Sequence, residues 1–176
     1  MGCGRSGAHP RQAGLSGTGR VKLHLIAVGH KMPGWIGAGY DDYARRMPPD
    51  LPLVLSEIKP GHRVAGEDGA RARQIEAERI LAALPAGSVP VVLDERGTQA
   101  TTRELAAWLQ GWMADGVSPA FVIGGADGLD DSVKARAGKL LGLSKLTLPH
   151  ALARVMLAEQ LYRSVCIIKG HPYHRD

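Results

Sequence analysis

Residues 142–176, GLSKLTLPHALARVMLAEQLYRSVCIIKGHPYHRD, decide how the chain folds. An apolar run at residues 143–148 is followed by Pro149 and then by a segment that is apolar nearly all round. Proline suits the first position of a helix and pushes the preceding residue into an extended conformation. The pattern therefore predicts a strand that turns directly into a helix. A tail dense in His, Tyr and Arg follows at residues 169–176.

The predicted C-terminal helix has an apolar surface wider than a single stripe. Its large or apolar positions are Leu152, Val155, Met156, Ala158, Leu161, Tyr162 and Val165. That width predicts burial on more than one side, inside a large domain or against a second subunit. Arg154 falls on the apolar face, with His150 one turn earlier. Either Arg154 pairs with a carboxylate or reaches solvent, or the two residues border a site at the helix N-terminus.

The composition is typical of one soluble domain. The chain has 176 residues, 44% of them hydrophobic and 22% charged, and no apolar run approaches the ~18 residues of a membrane span. The net charge of +5 favours a polyanionic partner such as RNA or DNA. Cys3 and Cys166 lie at opposite ends, which predicts a reducing compartment and no disulfide framework, and no metal-ligand spacing occurs.

Residues 1–20, MGCGRSGAHPRQAGLSGTGR, are rich in Gly, Ser and Arg. Such a segment buries too little apolar surface to order itself. It lacks the apolar stretch of a secretory signal and the amphipathic period of an organellar transit peptide. We expect a disordered leader or a mis-assigned start, followed by a single domain over residues 21–176 that includes the tail.

Strands and helices alternate from residue 21 onward. The clearest helix follows Thr101, where Thr101 and Glu104 have the spacing of a capping box. The alternation predicts an α/β domain whose mostly parallel sheet has helices on both faces. The expected strands are 21–28, 53–58, 89–93, 120–123 and 143–148, and the other expected helices are 35–47, 70–84, 130–138 and 151–168.

In such a sheet a ligand binds at the carboxyl ends of the strands, here residues 93–96, 124–128 and 143–150. The run Gly124-Gly125-Ala126-Asp127-Gly128 after a strand is compatible with phosphate binding. However, the spacing is GGxxG, and the acidic residue expected about 20 positions later in a dinucleotide site is absent. A tight turn needed only for packing is the alternative for these glycines.

Four segments, LIAVGHKMPGW, VIGGADGL, LSKLTLPHALARVMLAEQLYR and HPYHRD, together resemble one family. They are similar to bacterial SPOUT-class methyltransferases that methylate N3 of a pseudouridine in 23S ribosomal RNA. The resemblance covers residues 21–176. It implies a cytoplasmic homodimer, a C-terminal trefoil knot, S-adenosylmethionine as methyl donor and the ribosome as substrate, without a metal or a membrane.

Carried over residue by residue, the resemblance implies a set of cofactor contacts at the three strand ends. Small or apolar side chains there leave backbone groups free to bind an adenine edge. The implied cofactor contacts are Leu93, Gly124, Leu143, Ser144, Lys145, Leu146, Thr147 and Leu148. Ala126 and Asp127 depart from the residues expected in that family, and so does Gly170.

The reaction requires alignment of the uracil N3 with the methyl group and removal of the N3 proton. His150 or His174 could accept the proton, since imidazole titrates near neutral pH. Arg154, Arg163 and Arg175 could bind phosphates or the developing negative charge, and Tyr173 could stack on a base. The alternatives are a non-catalytic RNA-binding module of ribosome assembly, and then an NAD-dependent enzyme.

Overall fold

The computed structural model describes residues 20–63 and 68–173. Strands and helices alternate throughout this part of the chain. The strands are β1 (Leu23–Val28), β2 (Leu53–Ile58), β3 (Val89–Gln99), β4 (Pro119–Ile123) and β5 (Lys139–Gly142). The helices are α1 (Gly34–Arg46), α2 (Ala70–Ala83), α3 (Thr102–Ala114), α4 (Asp131–Lys134) and α5 (His150–Ile168). The predicted leader, residues 1–20, lies outside the described residues except for Arg20.

The five strands form one parallel sheet in the order β2-β1-β4-β3-β5. The central strand β4 is buried at all five positions, as expected for a strand that is covered on both faces. Helices α1, α3 and α5 pack on one face of the sheet, and α2 and α4 pack on the other. The predicted α/β architecture, with a parallel sheet and helices on both faces, is therefore confirmed.

The side chains of β1 point alternately to the two faces of the sheet, so this strand contributes to the cores on both faces. Leu23, Leu25 and Ala27 belong to the core beneath α1, α3 and α5, whereas Ile26 and Val28 belong to the core beneath α2 and α4. Successive side chains of a strand point to opposite faces, so a continuous apolar run fills two cores at once.

The predicted strand at residues 143–148 is wrong. The last strand is β5, and residues 143–149 form a loop that leads from the sheet edge to α5. β3 is also longer than expected, because after a register shift Thr98 and Leu93 both pair with Leu141. The helix expected at residues 130–138 is reduced to the single turn of α4, and this leaves Lys139 onward free to pair with β3.

Helix α5 follows Pro149, which occupies the N-cap position just before the first helical residue. No residue of this helix is exposed, and the predicted face that carries Arg154, Ala158, Leu161 and Val165 is buried. α5 packs between α1 and α3, so contacts within one chain account for part of its wide apolar surface. The helix ends in a Schellman motif, in which Gly170 has a positive φ and the amide of His171 donates to the Cys166 carbonyl at 2.8 Å.

The capping box of α3 is present as predicted. The amide of Glu104 donates to Thr101 Oγ1, and the amide of Thr101 donates to Glu104 Oε2. Leu105 and Leu109 are buried beneath this helix, and the two tryptophans of α3 pack against the same core. None of the helices in residues 20–63 and 68–173 has the length and apolar character required to cross a bilayer.

Candidate functional site

A cavity of about 640 Å³ opens at the carboxyl ends of β4 and β5, beside the register shift in the middle of β3. This edge of the sheet is where open parallel sheets bind ligands. Its apolar wall is formed by residues from these three strands, from the segments that follow β4 and β5, and from the first turn of α5. The apolar lining residues are Leu93, Ile123, Leu129, Leu141, Leu143, Leu146, Leu148 and Ala153.

The cavity brings together seven of the eight residues expected to contact a cofactor. Lys145 is the exception, since its side chain is exposed and does not line the cavity. The amide of Leu146 donates to Ser144 Oγ at 2.9 Å. Among the described residues, no backbone–backbone hydrogen bond joins residues 143–148 to another element, so their backbone groups, apart from the Leu146 amide, are available to a ligand. The seven are Leu93, Gly124, Leu143, Ser144, Leu146, Thr147 and Leu148.

The glycine loop at residues 124–128 is a tight turn, closed by a hydrogen bond from the Gly128 amide to the Gly125 carbonyl. Gly128 has a φ of 77°, which is the left-handed conformation that glycine adopts at little cost. A Cβ atom on Gly124 would lie 2.7 Å from Leu129 Cγ. Packing therefore accounts for these glycines, and the same turn forms one wall of the cavity.

The polar wall contains an ion pair between Lys134 and Asp94, with Nζ and Oδ2 2.7 Å apart. The Asp94 carboxylate also accepts a hydrogen bond from the Arg96 amide. The Lys134 ammonium, together with this amide, lowers the pKa of Asp94 below the ordinary aspartate value. Asp94 is therefore ionised at neutral pH, and the cavity wall presents a fixed pair of opposite charges.

A second ion pair joins the glycine loop to the loop after β2. Arg63, in the loop after β2, binds Asp127 through both Nε and its terminal nitrogen. The Arg63 guanidinium holds the pKa of Asp127 below its usual range. The buried Glu76 of α2 accepts a hydrogen bond from the Gly61 amide at 2.9 Å and packs against Gly125. The loop after β2 and the glycine loop are thus tied to each other and to α2.

His150 lines the cavity, whereas Arg154 is buried and is not among the lining residues. The Arg154 side chain is only 3% exposed; it donates to Glu57 Oε1 at 2.6 Å and to the Gly29 carbonyl at 3.1 Å. Of the two interpretations of this arginine, pairing with a carboxylate is the one observed. Arg154 is placed to fix the ends of β1 and β2 against α5, and its guanidinium does not line the cavity.

Arg163 and Tyr173 lie together at the other end of α5. The Arg163 guanidinium is 5.0 Å from the Tyr173 ring centroid, and both side chains bind Glu159. The Tyr173 ring meets Tyr162 edge-on at 4.8 Å. Burial, aided by the neighbouring Tyr43, raises the pKa of Tyr173 to about 12, so this phenol is neutral at pH 7. His174 and Arg175 lie outside the described residues.

Helix geometry separates the expected catalytic residues into two groups. His150 and Arg163 are thirteen positions apart on α5, which corresponds to about 20 Å along the axis. Within one chain the tail therefore begins far from the cavity.

The two ion pairs at the cavity were not predicted from the sequence. Arg63 and Asp127 are 64 positions apart, and Asp94 and Lys134 are joined only by the fold. Neither pair has a local spacing signal. The two carboxylates, Asp94 and Asp127, belong to the predicted strand ends, whereas their partners Lys134 and Arg63 do not.

Three comparisons with known proteins bear on the family. A family model described as a predicted SPOUT methyltransferase matches residues 21–174. A Thiobacillus denitrificans protein named ribosomal RNA large subunit methyltransferase H is 80% identical over 156 residues, which are 89% of this chain and all of the relative. A Burkholderia vietnamiensis protein of the same name is 56% identical over 155 residues, which are 88% of this chain and 99% of the relative.

A solved structure shares the fold. The crystal structure of a probable methyltransferase from Bordetella pertussis Tohama I superposes with a TM-score of 0.51 at 16% identity and covers 82% of this chain and 93% of that one. At that identity the likeness concerns the fold alone. The match of the family model to most of the chain, together with the two close relatives, shows that this chain belongs to the SPOUT methyltransferase family.

Proposed function

We propose that this protein transfers a methyl group from S-adenosylmethionine to N3 of a pseudouridine in 23S ribosomal RNA, in the bacterial cytoplasm. The observation that carries the proposal is the cavity bordered by β3, β4 and β5, which gathers seven of the eight expected cofactor contacts. The names of the relatives, which specify the RNA of the large ribosomal subunit, support the choice of substrate.

The cavity fits the proposed cofactor in size and chemistry. Its volume of about 640 Å³ lies within the roughly 300–1,000 Å³ of small-molecule sites. The apolar wall suits an adenine ring, and the loop at residues 143–148 offers backbone groups for its polar edge. The charged wall at Asp94 and Lys134 suits the amino acid end. When bound, the sulfonium supplies an electrophilic methyl group, and the chain's residues hold it and exclude water.

His150 is the described residue best placed to receive the N3 proton. Its side chain lines the cavity near the apolar wall, and imidazole accepts protons efficiently near neutral pH. A lone histidine at a helix start has a packing alternative, so substitution must separate the two roles. His150→Gln should leave cofactor affinity nearly unchanged and slow methylation by about 100-fold or more, since general base catalysis contributes about 10²–10⁴-fold. Loss of cofactor affinity instead would assign His150 to binding.

We propose further that the protein acts as a homodimer with a C-terminal trefoil knot, and that the tail completes the partner's site. The separation of His150 from Arg163 by about 20 Å along α5 supports this arrangement. A partner related by a two-fold axis would bring its tail to the cavity. Arg163 and Tyr173 would then orient the tail, and His174 and Arg175 would contact RNA. Light scattering that shows a monomer at micromolar concentration would contradict this proposal.

Calorimetry with S-adenosylmethionine separates the competing functions. The proposed enzyme binds it, whereas a non-catalytic RNA-binding module and an NAD-dependent enzyme do not. Methylation of ribosomes lacking the modification should then introduce a reverse-transcription stop, because a methyl group on N3 blocks base pairing. Gly124→Trp places a large side chain at the cavity wall, so it should abolish both cofactor binding and the reverse-transcription stop. Cofactor binding without any methylation of ribosomal RNA would contradict the proposed substrate.

Truncation after Lys169 tests the role of the tail. Methylation should be lost while cofactor affinity stays near normal, because the cavity residues remain. Mixed dimers of the truncated chain with the Gly124→Trp chain should recover some activity, since one cavity and one tail would then meet. If those mixed dimers form and stay inactive, the composite site is refuted.

A further inference from the structure

The β1–α1 loop, defined as residues 29–33 together with the first two residues of α1, Gly34 and Trp35, lies beside the cavity and has no role in the function proposed so far. It follows the carboxyl end of β1, on the same edge of the sheet as the cavity. A Cβ atom on Gly29 would lie 3.8 Å from Nε2 of His150, which lines the cavity. The loop therefore continues the cavity rim toward β1.

The root of this loop is fixed by buried hydrogen bonds. The amide of Gly29 donates to the Ile58 carbonyl at 2.9 Å, and its carbonyl accepts from Arg154. Gly29 has a φ of 116°, and a side chain there would collide with Met32. These contacts fix the start of the loop against β2 and α5, which limits the ordering cost of its outer residues on binding.

The outer part of the loop is basic and aromatic. His30 and Lys31 are exposed, and Trp35 is 63% exposed. Lys31 has a φ of 60°, and it is the one residue other than glycine with a positive φ in residues 20–63 and 68–173. Such strained conformations concentrate at sites of function. The other two tryptophans, Trp108 and Trp112, pack against the core.

The space around Trp35 is open. Apart from chain neighbours and the backbone of α1, no atom of residues 20–63 and 68–173 lies within 4 Å of a Cβ placed on Gly34 or Gly37, and Ala38 is exposed. A stable protein interface needs about 800 Å² on each partner, whereas a single base needs one ring face. An exposed indole four positions after an exposed lysine, with Gly34 before it and Gly37 two positions after it, matches the aromatic and cationic pairing of RNA-binding surfaces.

We infer that this loop is an RNA-contacting surface in which Trp35 stacks on a base of the ribosomal substrate and Lys31 contacts its backbone phosphate. The inference rests on the proposed function and adds to it a second recognition element, separate from the tail. The loop lies on the chain's own cavity rim, so it contacts nucleotides that flank the base entering that cavity.

The test measures RNA affinity and cofactor affinity on the same variants. Trp35→Ala should raise the Kd for oligouridylate and the KM for ribosomes by about 5- to 140-fold, the effect of losing one base stack. Trp35→Phe should retain most of the affinity, because a benzene ring still stacks. Lys31→Ala should reduce the slope of log Kd against log salt by about 0.7, one phosphate contact on a single strand. Cofactor affinity should not change in any of these.

The matched controls lie at the opposite edge of the sheet. Val54→Ala removes another exposed apolar side chain, and Lys22→Ala removes another exposed lysine; both should leave RNA affinity and salt dependence unchanged. Unchanged RNA affinity in Trp35→Ala would overturn the inference, as would loss of self-association in light scattering, which would make the loop a protein interface. If wild type binds no cofactor and methylates no ribosomes, it is the proposed function that fails.

Discussion

The ion pair between Arg154 and Glu57 should be asymmetric in stability, because its two members differ in burial. The Arg154 side chain is 3% exposed and the Glu57 side chain is 42% exposed. Glu57→Gln therefore leaves a buried cation without its counter-charge, whereas Arg154→Met releases Glu57 into water. We expect Glu57→Gln to be the more damaging change, although it is the more conservative in shape.

The magnitudes follow from the partners in the structure. Removing one member of a fully buried pair costs about 3–5 kcal/mol, and partial exposure of Glu57 reduces this to about 2–3 kcal/mol. Arg154→Met leaves the buried Gly29 carbonyl without its donor, which costs about 1–3 kcal/mol and is partly offset by apolar packing of methionine. The double variant should be close to Arg154→Met alone, since no buried charge remains in either.

Urea unfolding followed by circular dichroism measures these differences, at one protein concentration because association would shift the midpoint. The pair between Asp42 and Arg46 is the control, with side chains 49% and 46% exposed; Asp42→Asn should cost only about 0.3–0.5 kcal/mol. If Glu57→Gln costs no more than that control, or less than Arg154→Met, the buried cation does not depend on its carboxylate and the reasoning is refuted.

Three further predictions concern other parts of the chain. Deleting residues 1–20 should leave the melting temperature and methylation rate unchanged, because these residues include almost no large apolar side chains; a clear fall in either would contradict this. Thr101→Ala should destabilise the fold by about 1 kcal/mol in urea unfolding, since it removes half of the capping box, and Thr101→Ser should restore most of that loss. The lowered pKa of Asp94 means that its ionised form stabilises the fold above about pH 4 and that this contribution is lost as the pH falls through the lowered value. The stability difference between wild type and Asp94→Asn should therefore shrink below about pH 4, and a difference that stays constant down to pH 2 would contradict the assignment.

Local patterns predicted the parts of the fold that depend on neighbouring residues. The capping box at Thr101 involves residues three positions apart, and the buried face of α5 follows from a period of 3.6. The alternation of strands and helices predicted the parallel sheet. In each case the pattern that supports the prediction is formed by residues close together in the sequence.

The misassigned last strand shows where local patterns fail. Residues 143–148 and β5 are both short and apolar, and what decides between them is pairing with β3. That pairing depends on a register shift in β3 and on close contact between Gly97 and the backbone of Leu141, neither of which has a sequence signal. The apolar run instead forms a loop on the cavity wall; the strand conformation predicted for it was wrong, and its contacts with a cofactor stay a prediction.

The candidate site likewise has residues that the sequence predicted and ion-pair partners that it did not. The cavity residues were found through the rule that ligands bind at strand ends and through the family resemblance. Residues 143–148, apart from Lys145, lie at the cavity even though they form a loop and not a strand. The partner of Arg154 was not found, because Glu57 lies 97 positions away. The ion pair between Arg63 and Asp127 has the same origin: two unremarkable charges that only the folded chain brings together.

The order of the strands has a consequence for synthesis of the protein. β4 is the central strand, and it joins the pair β1 and β2 to the pair β3 and β5. During translation, β1 and β3 are both complete before β4 exists, and each carries an unpaired edge on the side that β4 will fill. Such edges attract other strands. Nascent chains arrested before residue 119 should be cut by protease throughout and should recruit chaperones, whereas chains released after α5 should resist. The long-range pairing that builds the cavity is therefore also what delays folding until most of the chain has been made.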